Sequence, residues 1–456
     1  MAAASDKARF YMEQSVPELQ EYERKKIFSR EEITSIAKKR SEFEHILNAR
    51  GSNPSDYARY ATYEMNLDAL RKKRSRRMGV KATTYTGQKK IFFVLERGVR
   101  KFPGDMALWM QYIEFCKEED ANKKLGKALT QCLRLHPLRW ELWVWAARYY
   151  VEAQADMNTG RSYMQRGLRF CKNERKMWLE YAKLEMIYVA KIAARRKILG
   201  LDEQRKQAAE GDARLDADAD MITLPSVTTE DINPSAKKDT EAVDQTALQN
   251  LASTPALSGA IPSTIFDAAM KHFNHDAILA EHFFDLFAEF DKVPCCITLL
   301  QHVTDHLAQM YDEQSKDRVS LYACNAKSEL LGVESTSAEF PLKLGSALAV
   351  YKQAATALPQ YKVDIAEKAI LQLLPYLRLR DELDQAVLAV LNASVKQNLR
   401  VIAKAPTRVG VKDRLGAIAQ RLQKEKKTQE LKLLVEQGLK VQSDNQALME
   451  IRISLG

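Results

Sequence analysis

The chain has 456 residues, 46% hydrophobic and 8% aromatic, enough for a sizeable packed core and too aromatic for a wholly unfolded polypeptide. No run of 18 or more apolar residues occurs, and the stretch Met1 to Arg9 lacks an apolar signal core, so neither a membrane span nor a secretory leader is expected. The net charge of +10 is uneven: residues 1–200 hold 41 Lys and Arg against 24 Asp and Glu, 201–350 hold 11 against 25, and 351–456 hold 18 against 11, which points the N-terminal part toward phosphate-bearing or acidic partners.

In chain order, residues 8–50 read as two helices. The first is opened by Ser15-Val-Pro-Glu. The second is opened by Ser29, with Glu32 three positions on as a capping box, and runs through Ile33, Ile36, Phe43 and Leu47 to a stop near Gly51. Asn53-Pro54-Ser55-Asp56 starts another helix carrying Tyr57, Tyr60 and Tyr63, a divergent first repeat. Its far end bears Arg71, Lys72, Lys73, Arg74, Arg76 and Arg77, with Lys81, Lys89 and Lys90 behind. Three readings fit this stretch: contact with RNA phosphates, an import signal, or a solvated helix end. It lacks interleaved aromatics to stack unpaired bases, so sequence-specific reading of RNA is not expected.

From about Ala82 to Leu199 one motif recurs. Trp109, Trp143 and Trp178 are spaced by 34 and 35 residues. Each opens a stripe at three-residue steps: Trp109, Tyr112, Phe115; Trp143, Ala146, Tyr149; Trp178, Tyr181, Leu184. A second helix keeps the same beat, with a small residue, Gly98, Cys132 or Gly167, where two backbones approach, and Pro103 and Pro137 34 apart at its end. A period of about 34 residues is that of paired helices stacked as an α-solenoid, in which no pair buries its apolar face alone. The tryptophan in the first helix, and the small residue and proline of the second, resemble the half-a-tetratricopeptide (HAT) repeat. Known HAT proteins work in RNA-processing assemblies.

The block from Tyr11 to Arg74, beginning YMEQSVPELQEYERKKIFSREEI, ahead of HAT units resembles the N-terminal signature of the U3 small nucleolar RNA-associated protein 6 family. The likeness is dense over residues 8–200 and rests on helical character beyond. It implies a non-enzymatic scaffold subunit of the UTP-B subcomplex of the small-subunit processome, in the nucleus and nucleolus. The implied partners are other UTP-B subunits, mainly WD-repeat propeller proteins, together with U3 small nucleolar RNA and pre-ribosomal RNA. The alternative is a direct RNA-binding HAT protein, or a HAT scaffold of another RNA machine in splicing or mRNA 3′-end processing.

Residues 201–262 turn acidic and loop-like and are expected to be a disordered insert. Asp216, Asp218 and Asp220 lack the Gly and Glu of a calcium loop. Helices resume at Ser263, with Phe283, Phe284, Phe287 and Phe290 as an apolar stripe. His302 and His306 share a face near Cys295-Cys296, but adjacent cysteines chelate poorly and core or surface histidines are the better reading. The beat then returns without tryptophan. Tyr351 to Pro359 copies Leu95 to Pro103, with Ala354 at the small position, and Val435 to Met449 copies Leu95 to Trp109, with Gly438 at the small position.

The chain is therefore expected to be all-α, a solenoid of HAT or tetratricopeptide-like helix pairs with an acidic disordered insert. The divisions are 8–55 (family-specific helices), 56–200 (about four HAT repeats), 201–262 (acidic linker) and 263–456 (degenerate repeats). The repeat core is expected at Trp109, Tyr112, Phe115, Trp143, Tyr149, Trp178 and Tyr181. The six cysteines are scattered without a CxxC pair and read as buried thiols. No nucleotide-binding loop, nucleophile elbow or zinc-protease motif is present. No enzymatic activity, cofactor, metal or small-molecule substrate is expected.

Overall fold

The computed structural model describes residues 2–80, 86–198, 255–379, 382–404, 413–442 and 445–455. Among these, regular structure is α-helical apart from two 3-10 turns, with no strand, so the chain is all-α and built of helices paired with their neighbours. It divides into two compact units, residues 1–171 and 172–456.

The first unit holds α1 (Ala2–Glu13), α2 (Val16–Arg24), α3 (Arg30–Asn48), α4 (Pro54–Met78), α5 (Thr86–Lys101), α6 (Met106–Glu118), α7 (Asn122–Leu135), α8 (Trp140–Ala153) and α9 (Met157–Phe170). Residues 8–50 thus carry part of one more helix than the two expected. Alanines and long unbranched side chains before Ser15 favour α1. The capping box forms: Ser29 Oγ accepts from the Glu32 N–H at 3.2 Å, and Glu32 Oε2 accepts from the Ser29 N–H at 2.9 Å. Ahead of α4, the Asn53 N–H donates to Asp56 Oδ2 at 2.8 Å, and Pro54 occupies the first helical turn.

Pairing then follows the 34-residue beat, α4 on α5, α6 on α7 and α8 on α9. At Gly98 the small position lets the α4–α5 pair close. A Cβ on Gly98 would sit 2.9 Å from Leu108 Cδ2 and 3.0 Å from Tyr57 Cδ1, so no larger residue enters without displacing them.

The second unit begins with α10 (Arg175–Ile198), which packs on α11 (Ala260–His272) and α12 (Ala277–Ala288). The helix of Trp178, grouped by its period with residues 56–200, therefore finds its neighbours in the second unit; spacing says which face is apolar but not what covers it. The expected insert at 201–262 lies outside the described residues as far as 254. Its last part is the turn Pro255–Ser258 and the start of α11, which begins at Ala260 because Gly259 takes φ 73. Beyond follow α13 (Cys296–Met310), α14 (Arg318–Glu329), α15 (Phe340–Ala357), α16 (Lys362–Arg378), α17 (Gln385–Ala403), α18 (Arg414–Lys424), α19 (Thr428–Val441) and α20 (Gln446–Leu455). Phe283, Phe284 and Phe287 are sealed in this unit, and one apolar cluster runs from Val319 to Ile451. Gly438 repeats the Gly98 device, since a Cβ there would lie 2.8 Å from Leu448 Cδ1.

Candidate functional site

The basic stretch of α4 splits by helical face. The buried stripe of this helix is Tyr57, Tyr60, Ala61, Glu64, Asp68, Arg71 and Ser75, at three- and four-residue steps. Arg71 is therefore turned inward, with Nε and Nη2 donating to Asp68 Oδ1 at 2.9 and 2.7 Å. Lys72 bridges Asp68 and Glu119 at 3.0 and 2.8 Å; partial burial pulls its charge down, but the two carboxylates outweigh this and raise its pKa. Arg74 grips both Glu32 oxygens at 2.7 Å and lies 4.8 Å over the Phe28 ring. Lys73, Arg76 and Arg77 face solvent. Six cations adjacent in sequence thus leave three on an open face, with the other three tied to carboxylates. Lys81 lies outside the described residues. Lys89 is exposed, whereas Lys90 is half-buried, its charged form disfavoured by burial and by Arg40.

Beneath α4 lies a charge network that sequence patterning misses. Arg40 on α3 donates Nε to Glu64 Oε1 and Nη2 to Glu64 Oε2, both at 2.8 Å, and Nη1 reaches Glu18 Oε2 at 3.4 Å. Glu44, one turn on, accepts from Arg97 Nη2 at 2.9 Å. The Arg97 guanidinium lies over the rings of Tyr11 and Phe93, at 4.8 and 5.1 Å. The available signal was positional: Arg40 and Glu44 continue the Ile33, Ile36 stripe toward Leu47, where apolar residues belong.

The tryptophans share one device. The indole N–H of Trp109 donates to the Pro103 carbonyl, that of Trp143 to Pro137 and that of Trp178 to Lys172, each at 2.9 Å and six residues back. Trp109, Tyr112, Phe115, Trp143, Tyr149 and Tyr181 are buried. Trp178 is half-buried and stacks on His272 of α11, centroids 6.1 Å apart. Between α5 and α7, above Trp109, opens a groove of about 550 Å³ whose walls include Val99, Arg100, Lys127, Arg134 and Leu135. Within it Glu96 accepts from the Tyr112 hydroxyl at 3.1 Å and from Lys124 at 2.8 Å.

Of the histidines, His302 meets Asp267 at 2.7 Å and His275 Nδ1 meets His306 Nε2 at 3.1 Å. Among the described residues no three His, Cys, Asp or Glu side chains converge as metal ligands. The six cysteines are buried, and burial pushes the thiols of Cys116 up to about 12 and Cys132 up to about 11. No helix among the described residues is long and apolar enough to cross a membrane.

Residues 12–93 match the family model described as U3 small nucleolar RNA-associated protein 6. The chain is 34% identical over 249 residues to the protein of that name from Schizosaccharomyces pombe, covering 53% of this chain and 51% of the relative. It is 30% identical over 185 residues to the human homolog, covering 40% of this chain and 31% of the relative. With the Dictyostelium discoideum homolog it shares 23% identity over 288 residues, covering 62% of this chain and 46% of the relative. The chain thus spans about half the length of these curated relatives or less. The matches bear out the family resemblance carried by the block that begins at Tyr11.

Proposed function

We propose that this chain, a member of the U3 small nucleolar RNA-associated protein 6 family, is a non-enzymatic scaffold of a nucleolar pre-ribosomal particle, supporting pre-18S RNA processing and small-subunit assembly. The observation that carries this reading is the joining, in one compact unit, of the family block at residues 12–93 to helix pairs in which Trp109 and Trp143 are committed to packing. What such repeats offer a partner is surface of fixed shape. Within that reading the chain belongs to UTP-B, and its partners are mainly WD-repeat propeller subunits.

The test is purification of the tagged full chain from the cells that make it, followed by identification of bound proteins and RNA. Recovery of propeller subunits with U3 RNA and pre-18S precursors is expected. Recovery of splicing or mRNA 3′-end factors in their place would overturn the assignment.

A second reading, direct contact with RNA, is favoured by the open face of Lys73, Arg76 and Arg77. About three phosphate contacts predict that log affinity for single-stranded RNA falls with log salt at a slope near −2. Arg76→Glu/Arg77→Glu should flatten that slope. Binding that ignores both salt and these substitutions would exclude this face.

A further inference from the structure

We infer that the groove above Trp109 holds an acidic segment of a partner protein, seated by one apolar side chain. The inference rests on the scaffold reading above and gives the chemistry of one of its partners.

The walls are cationic and the floor is apolar. On α7, Lys124, Lys127, Gln131 and Arg134 follow one another at steps of three and four, so they share one helical face. Arg100 opposes them from α5. The acidic residue of the groove, Glu96, is already engaged by Tyr112 and Lys124. Arg100, Lys127 and Arg134 have no carboxylate within ion-pair distance among the described residues. Three unmatched cations around one groove call for carboxylates from outside, and arginine takes them two-pronged.

Val99, Trp109 and Ala128 close the floor and are themselves buried, so it is Leu135, 50% exposed at the lip, that calls for an aliphatic or aromatic side chain. A volume of about 550 Å³ lies in the range of sites that take small ligands or a short peptide stretch.

Thirty-four residues on, the ring equivalent to Trp109 is covered from within the chain: Phe170 stacks on Trp143 with centroids 5.8 Å apart and planes at 13°. The position matching Phe170 is Leu135, which has no ring to stack and stands at the lip of the groove, while the following His136 turns its Nε2 to the Pro103 carbonyl at 2.9 Å.

The same features disfavour nucleic acid. Trp109 is 2% exposed and its N–H is committed, so it presents no face on which a base could stack. Glu96 would stand among the phosphates.

The test is fluorescence anisotropy on the full chain. The probes are a labelled twelve-residue Asp/Glu peptide with a central Leu-Phe pair, the same peptide with Ser-Ser, and a twelve-nucleotide oligouridylate. The Leu-Phe peptide is expected to bind. Lys127→Glu/Arg134→Glu, at exposed positions whose folding circular dichroism checks, should weaken it by about tenfold or more. Lys117→Glu/Arg139→Glu, outside the groove, should not. The inference is overturned if the Leu-Phe peptide does not bind, if the Ser-Ser peptide binds as well, if charge reversal in the groove has no effect, or if oligouridylate competes at equal concentration. Such a failure leaves the scaffold reading standing, because that is judged by what co-purifies. Peptide binding without co-purified processome components would sink the scaffold reading and leave the groove.

Discussion

Arg40 and Glu64 meet fork to fork through two 2.8 Å hydrogen bonds between α3 and α4, with the two side chains only 1% and 2% exposed. Burial by itself opposes the guanidinium charge, yet Glu64 and Glu18 more than restore it and push the Arg40 pKa above its ordinary value. A buried pair like this adds little over a well-packed apolar pair, but removing one partner strands the other charge and costs about 3–5 kcal/mol. Glu64→Gln should therefore lower stability by about 3 kcal/mol or more in urea unfolding. Arg40→Met/Glu64→Leu should recover most of that loss. A double variant as weak as the single one would show that the pair, not the stranded charge, holds α3 to α4.

Trp143 is buried on α8 against Tyr163 and Phe170 of α9 and donates its N–H to Pro137. Trp143→Ala should cost about 3–5 kcal/mol. Trp143→Phe keeps a ring and loses the hydrogen bond, so it should cost nearer 1 kcal/mol. Trp178, half-buried under His272, should lose less on replacement by Ala than Trp143 does. Equal losses at the two sites, read by thermal unfolding, would contradict the packing difference.

What was legible in the sequence was local. The 34-residue beat, the Ser29–Glu32 box and the start of α4 at Asn53-Pro54 depend on neighbours a few residues away, which spacing and capping chemistry record. What was not legible depended on partners brought from afar. Arg71 reads as one of six surface cations because hydropathy assigns charge to water, yet it sits in the buried stripe of α4 with Glu64 and Asp68. Met449 copies Trp109 in register but is 43% exposed, while its neighbour Leu448 is sealed against Gly438. The repeat keeps its small-residue contact there and loses its aromatic anchor. The groove above Trp109 carries Leu135 where the next repeat stacks Phe170 on its tryptophan, a consequence of stacking that no single period reveals.

Gly98 and Gly438 each face a leucine ten residues on, Leu108 and Leu448. Gly98→Ala gains about 1 kcal/mol of helix propensity but forces a Cβ to within 3.1 Å of three side-chain atoms. Overpacking of that kind costs about 1–3 kcal/mol, so a net loss of up to about 2 kcal/mol is expected. Gly345, inside α15, supplies the contrast, since a Cβ added there would meet nothing within 4 Å. Gly345→Ala should stabilise by about 0.5–1 kcal/mol. If both substitutions shift the urea midpoint in the same direction, close approach at Gly98 is not what selects glycine.

Glu32 ties two structures together, capping α3 through the Ser29 N–H and receiving Arg74 from α4. The Arg74 hydrogen bonds, then that of Ser29, hold its pKa near about 2, below the ordinary carboxylate value of 4.5. Because the folded value is the lower one, the stabilisation is fully present above about pH 4.5 and is lost as pH falls toward 2. The side chain is 41% exposed, so solvent screens the pair and its worth stays below about 1 kcal/mol. Glu32→Gln should therefore melt slightly below the wild type at pH 7. The gap should narrow from pH 4.5 downward, close near pH 2, and shrink in concentrated salt at neutral pH. A gap that is unchanged across this range would mean that Glu32 acts through its shape as a cap and not through its charge.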